Sequence, residues 1–283
     1  MSESLAFLRH LKKRRGRQVF SQAVRMYKLH RLPFERLIGN ILEATQKNQA
    51  GYTFPIVASV AAQKPELLKT MTDGGAEVAA HGYRHLKYPL LSAKSQEKDV
   101  KKAVETFAKL GVPVSGFRAP YNAYDENTPR ILEDAGFLWD GGIGYSPSNR
   151  DRTELFRVAV DGRDSKFICI PVNYLSDDLM VDDYGYTAEQ ITTALNEALD
   201  KARKSHAIIA FDLHPIRIGQ PEYVSVIDRI TSYGKSIGGW FPTVTEAVKF
   251  RSNHDDWGGY EFCCLLTGDI DNFYFRDYLK RLG

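Results

Sequence analysis

Two imidazoles four residues apart, His81 and His85 in His81-Gly82-Tyr83-Arg84-His85, can share one helix face or one loop turn and grip a single cation. Alone, the pair is as readily a chance spacing. Two nitrogens also leave a divalent ion short of ligands, so a carboxylate has to come from elsewhere. Thr267-Gly268-Asp269-Ile270-Asp271 ends an apolar run in two acids at i and i+2, which puts both on one side of a continuing strand. One can ligate metal while the other takes a proton. The plain alternative is a strand-to-helix turn in which Asp271 caps a helix over 272–279.

Three further places carry candidate groups. Arg118 precedes Ala119-Pro120-Tyr121, and Pro120 holds Ala119 extended, so the guanidinium sits on a stiff turn where it can pair with a carboxylate. Considered singly, it is an ordinary surface arginine. His214 closes Phe211-Asp212-Leu213-His214-Pro215 and suits a general acid, because imidazole titrates near neutrality. A satisfied rim histidine is the plain reading. Trp139 and Asp140 are adjacent: the indole is core or a sugar-stacking wall, and the carboxylate is placed to tune a neighbouring histidine.

Positioning these groups needs a scaffold. Short β-type runs (52–58, 76–80, 114–117, 167–172, 207–213 and 262–266) alternate with helical stretches (65–72, 92–110, 127–135, 187–204 and 222–233). Ser92 is a candidate N-cap, and Gly111 and Gly136 follow helix ends. Repeated strand–helix units predict a mostly parallel sheet, open or closed into a barrel, with chemistry at the C-terminal strand ends. His81, Arg118, His214, Asp269 and Asp271 all fall just after predicted strands, so one rim would collect them.

Composition bounds the class. The 283 residues are 43% hydrophobic and 26% charged, enough for a sizeable core and unlike a disordered chain. The three cysteines (Cys169, Cys263 and Cys264) lack CxxC spacing and read as buried free thiols, with Cys263 and Cys264 facing opposite sides of a strand. With no secretory signal, the expected location is cytoplasmic. The net charge of +3 is uneven: residues 1–36 hold ten basic and two acidic residues, +8, leaving −5 for the rest. A basic helical segment within 1–50 could therefore meet anionic lipid or phosphate through residues 9–36, giving peripheral membrane contact. A solvated helix surface is the plainer reading, and no nucleic-acid motif accompanies it.

In order along the chain, His81–His85, Arg118–Tyr121, Trp139–Asp140 and Leu213–Pro215 resemble the second to fifth motifs of the polysaccharide deacetylases, the NodB-like domains of carbohydrate esterase family 4. The family's acidic first motif should precede the histidine pair, and no acid in residues 1–80 has the right context. Asp269 and Asp271 match it from the far end of the chain, as in a circularly permuted member. The implied fold is α/β, a distorted (β/α)7-type NodB-like barrel formed by residues 1–283 as one domain, with 262–283 as the permuted first strand and helix. A swapped homo-oligomer is the other way to deliver the acids. Gly82 replaces the Ser or Thr common in the family's second motif, which removes a loop-bracing hydrogen bond.

The resemblance implies metal-dependent removal of N-acetyl groups from an amino sugar or polysaccharide; the charge split alone suggests a lipid- or nucleotide-linked one. Asp271, His81 and His85 would hold one divalent ion, with Zn²⁺ expected. Asp269 would be the base, oriented by Arg118, and His214 the acid, tuned by Asp140. The Tyr121 backbone N–H would meet the oxyanion, and Trp139 and Tyr121 would line the sugar subsite. A related amidohydrolase acting on a small cyclic amide or ureide and a non-catalytic carbohydrate-binding relic are the alternatives.

Overall fold

A computed structural model describes residues 32–149 and 152–273. The basic segment up to residue 31, and the helix expected beyond Phe273, lie outside the described residues. Helix α1 (Phe34–Lys47) leads into strand β1 (Thr53–Ile56), followed by α2 (Pro65–Asp73), β2 (Glu77–Ala80), α3 (Ala93–Lys109), β3 (Gly116–Phe117), α4 (Thr128–Asp134) and β4 (Trp139–Asp140). The second half runs β5 (Ile168–Cys169), α5 (Ala188–Lys204), β6 (Ile208–Asp212), α6 (Pro215–Ile218), α7 (Ser225–Ser236), β7 (Gly239–Trp240), α8 (Val244–Arg251) and β8 (Phe262–Thr267). A two-stranded hairpin, Ala159–Val160 with Arg163–Asp164, precedes β5.

The main sheet is parallel throughout, in the order β5-β4-β3-β2-β1-β8-β6, with β7 on the early part of β8. It curls until its edges approach, where Val172 bridges Ala210 and the Asn173 N–H donates to the Ala210 carbonyl at 2.8 Å. Strand β8, last in sequence, lies between β1 and β6, pairing Thr267 with Thr53 and with Asp212. The expected barrel-type α/β fold is the one observed.

Strands β1 and β8 are buried at every residue, as parallel strands covered on both faces must be. Alternation sends Cys264 and Leu266 into the larger core under the helices, with Leu37, Ile41, Leu195, Leu199 and Ile230. Cys263 and Leu265 point the other way, into an interior cluster with Ala79, Trp139, Ile208, Ala210 and the α8 residues Val244 and Val248. All three cysteines are free and buried.

Local signals place the helix starts. The Ser92 hydroxyl accepts the Ser95 N–H ahead of α3, and Thr187 with Gln190 forms a reciprocal capping box on α5. Thr243 and Glu246 repeat that box on α8, a helix absent from the sequence expectation. Strands β3, β4, β5 and β7 have two residues each, which is why β4 and β7 escaped the sequence reading.

Candidate active site

The C-terminal ends of five strands converge. His81 follows β2, Arg118 follows β3, Asp140 ends β4, Asp212 and His214 end and follow β6, and Asp269 and Asp271 follow β8. Because β1 and β8 are neighbours, the turn after β8 is carried over the end of β1: the Ile270 N–H donates to the Pro55 carbonyl at 2.8 Å, and the Val57 N–H donates to Ile270 at 3.2 Å. That pairing brings the two aspartates to the histidines.

His81 Nε2 is 3.5 Å from Asp271 Oδ1 and 3.6 Å from Asp269 Oδ2, and His85 Nε2 is 3.3 Å from Asp271 Oδ1. The histidines lie in a loop rather than on a helix face. His81 Nδ1 is 2.8 Å from the Arg118 carbonyl oxygen, which can only accept. The ring proton is therefore on Nδ1, and Nε2 presents a lone pair to the cleft. That buried Nε2 has no hydrogen-bond partner, and one ligand atom from each of His81, His85 and Asp271 lies within 4.8 Å of the others. An orphaned imidazole nitrogen beside an imidazole and a carboxylate is a donor set that suits a divalent transition ion. Burial lowers the His81 pKa, but Asp269 and Asp271 outweigh it and the net direction is upward.

Arg118 is fully buried and ties this group to the next. Its Nη1 donates to Asp269 Oδ1 at 2.9 Å and to Asp212 Oδ1 at 2.8 Å, and its Nη2 donates to Thr267 Oγ1 at 2.7 Å. It is no surface arginine: its charge offsets two buried carboxylates. Burial pushes Asp212 up to about 6 despite the His214 and Arg118 charges beside it.

On the far side of Arg118, His214 Nδ1 meets Asp177 Oδ1 at 2.6 Å and its Nε2 lies 4.0 Å from Asp212 Oδ2. Burial works against the imidazolium, but Asp212 and Asp177 prevail and hold the His214 pKa well above the ordinary histidine value. Behind Asp177 stands Arg217, which donates to Asp182 through Nε at 2.9 Å and Nη2 at 2.7 Å.

Two expected roles are corrected. The carboxylate at His214 is Asp177, not Asp140. Asp140 instead accepts the backbone N–H groups of Gly142 at 3.0 Å and Ile143 at 2.7 Å, shaping the turn after β4, with burial pushing its pKa up to about 6. Trp139 is 1% exposed and lines the interior, where its Nε1 donates to Thr245 Oγ1 at 2.9 Å and Glu77 Oε1 at 3.2 Å. Glu77 opens β2, so the indole N–H points toward the opposite end of the strands from the cleft. Gly116 makes room for it, since a Cβ there would fall 1.8 Å from the Trp139 ring. Tyr121 does reach the rim: it is exposed, has a φ of 62°, and its ring centroid lies 4.3 Å from that of His85.

Asp177, Asp212 and Thr267 escaped the sequence reading. Asp212 had a signal, because its i, i+2 relation to His214 puts both on one side of a strand end. Asp177 had none; it sits in a long connection and only the fold brings it near.

Residues 32–138 match the polysaccharide deacetylase family model. A peptidoglycan deacetylase of Helicobacter pylori is 29% identical over 131 residues, 40% of this chain and 45% of that protein, so the match spans less than half of the relative. Among solved structures, a polysaccharide deacetylase from Mycobacterium smegmatis superposes with a TM-score of 0.69 at 20% identity, over 81% of each chain. An allantoinase, Puue, does so with a TM-score of 0.68 at 20% identity, over 81% of this chain and 76% of its own. The family match covers residues 32–138, and the solved structures share the fold over 81% of the chain. Among the described residues, no helix is long and apolar enough to cross a membrane.

Proposed function

We propose that the chain is a metal-dependent amide hydrolase that removes the acetyl group from an N-acetylated amino sugar or its polymer. The observation that carries this reading is the meeting of Asp269 and Asp271 with His81 and His85 across nearly two hundred residues of sequence. His81, His85 and Asp271 would hold the ion, with Zn²⁺ expected from the nitrogen-rich set. When bound, it supplies a Lewis acid that polarises the acetyl carbonyl and acidifies water.

The chain's own groups do the proton work. Asp269, kept in place by Arg118, accepts the proton of the attacking water as the new C–O bond forms. His214, held protonated by Asp177 and Asp212, gives its proton to the nitrogen as the C–N bond breaks, leaving acetate and a free amine. The Tyr121 backbone lies at the rim where an oxyanion donor is needed, and its ring borders the sugar position. The placement of β8 beside β1 supports a circularly permuted motif order.

Acetate release from N-acetylated sugars and glycan fragments, with and without added Zn²⁺, tests the activity. No release by metal-loaded protein from any of them would remove the proposal. The allantoinase likeness favours one second reading, ring opening of a small cyclic amide or ureide by the same groups. Assaying ring opening alongside acetate release separates the two. Contact of residues 9–36 with a lipid- or nucleotide-linked substrate remains a charge-based proposal. Unchanged kinetics and vesicle association after neutralising Lys12, Lys13, Arg14 and Arg15 would count against it.

A further inference from the structure

Between His81 and His85 the chain reads Gly82-Tyr83-Arg84, with no serine or threonine to brace the loop. The bracing comes instead from α3. Asp99, 4% exposed in the middle of that helix, takes the Tyr83 N–H on Oδ2 at 2.9 Å, the Arg84 N–H on Oδ1 at 3.3 Å and the Tyr88 hydroxyl on Oδ2 at 3.2 Å. The loop's carbonyls are gripped from the other side: the Ala58 N–H donates to Gly82 at 2.9 Å and the Ser59 N–H donates to Tyr83 at 3.0 Å. A buried carboxylate inside a helix is costly to desolvate, and here it serves two consecutive loop N–H groups, a phenol and the Arg84 guanidinium, whose Nε lies 3.7 Å from Oδ1.

Gly82 fits the same arrangement. Its φ is +74°, and a Cβ there would lie 2.9 Å from Asp99 Oδ2 and 3.0 Å from the Arg84 carbonyl oxygen. A side chain at position 82 and a carboxylate at position 99 compete for one space. The chain has the glycine and the acid, so the brace enters from the helix rather than from within the loop.

We propose that Asp99 is the positioning residue of the metal loop, holding the backbone between His81 and His85 so that both imidazoles face Asp271; this rests on the metal reading above. Asp99 touches neither the substrate side of the cleft nor the ligands, so its effect passes through loop geometry. Partners one step removed from a metal site typically govern affinity by about 10–100-fold.

The test uses the metal alone. Zn²⁺ titration and the absorption spectrum of bound Co²⁺ are compared for the unaltered chain and Asp99→Asn, which turns an NH₂ toward the loop donors. The expected result is Zn²⁺ binding weaker by about 10–100-fold and an altered Co²⁺ spectrum. Gly82→Ala presses on the same carboxylate from the loop side and should weaken binding too, less than additively with Asp99→Asn. A purely structural role for Asp99 would lower the melting point of the metal-free protein while leaving the folded protein's affinity and spectrum unchanged, and that outcome overturns the proposal. If Asp99→Asn does not fold, an unchanged affinity in Gly82→Ala overturns it. Absence of stoichiometric Zn²⁺ binding by the unaltered chain would instead remove the metal reading itself, a result separate from equal binding by chain and variants.

Discussion

His81 and His214 stand on opposite sides of Arg118, both at strand ends and each beside two carboxylates, yet the proposed mechanism gives them opposite tasks. The His81 Nδ1–H donates to the Arg118 carbonyl at 2.8 Å, which leaves the Nε2 lone pair facing the cleft. His214 has its Nδ1 on the Asp177 carboxylate at 2.6 Å, which stabilises the imidazolium. In the proposed mechanism the neutral carbonyl acceptor goes with the ligand and the anionic one with the acid. The residue type supplies the range of chemistry, and the atom facing Nδ1 selects within it.

The sharpest way to break this contrast is on the ligand side. Asp271→Ala should abolish metal retention, measured by metal content after dialysis, and lower kcat by on the order of 10³-fold or more, as expected for several kcal/mol of lost charge stabilisation. Next, Asp269→Asn and His214→Ala should each keep the metal and lose on the order of 10²–10⁴ in rate, typical of a missing base or acid. Full activity in Asp269→Asn would exclude the assigned base.

Smaller changes separate Asp177 from Asp140. As the proposed acid, His214 would need to be protonated, so rate should fall as pH rises through its elevated pKa. Asp177→Asn removes one anion that raises that pKa, and the alkaline limb of the kcat/KM profile should move to lower pH. Asp140→Asn should leave the limb in place. The same sign applies to stability: the His214 contribution is present in full below the unfolded histidine pKa and fades as pH rises through the folded value. Least of all, Trp139→Phe should leave KM unchanged and cost about 1–2 kcal/mol in a denaturant melt, because it removes the indole N–H bond and leaves unfilled space in the interior. A raised KM would return Trp139 to the substrate path.

The contrast also explains what was legible. The ligand side is made of short-range spacings, i and i+4 for the histidines and i and i+2 for the acids, and these survive in a linear reading. The acid side depends on Asp177 meeting His214 across a connection with no regular period, and the motif resemblance pointed to Asp140 instead. Trp139 shows the same limit. A two-residue strand has too little alternation to say which way its first side chain faces, and the indole turned inward over Gly116. Long buried strands fared better: β8 was legible as an apolar run, and its alternation placed Cys263 and Cys264 on opposite faces.

From residue types alone came the parallel strand–helix scaffold, the rim that gathers the polar strand ends, and the need for a carboxylate to complete a two-histidine set. Those follow from local periodicity and from how many donors an ion requires. Tertiary structure decided which carboxylate serves which histidine and what braces the loop between the ligands. Such choices depend on the register of β8 against β1 and on side chains reaching across helices, and contacts made through space leave no period in the sequence.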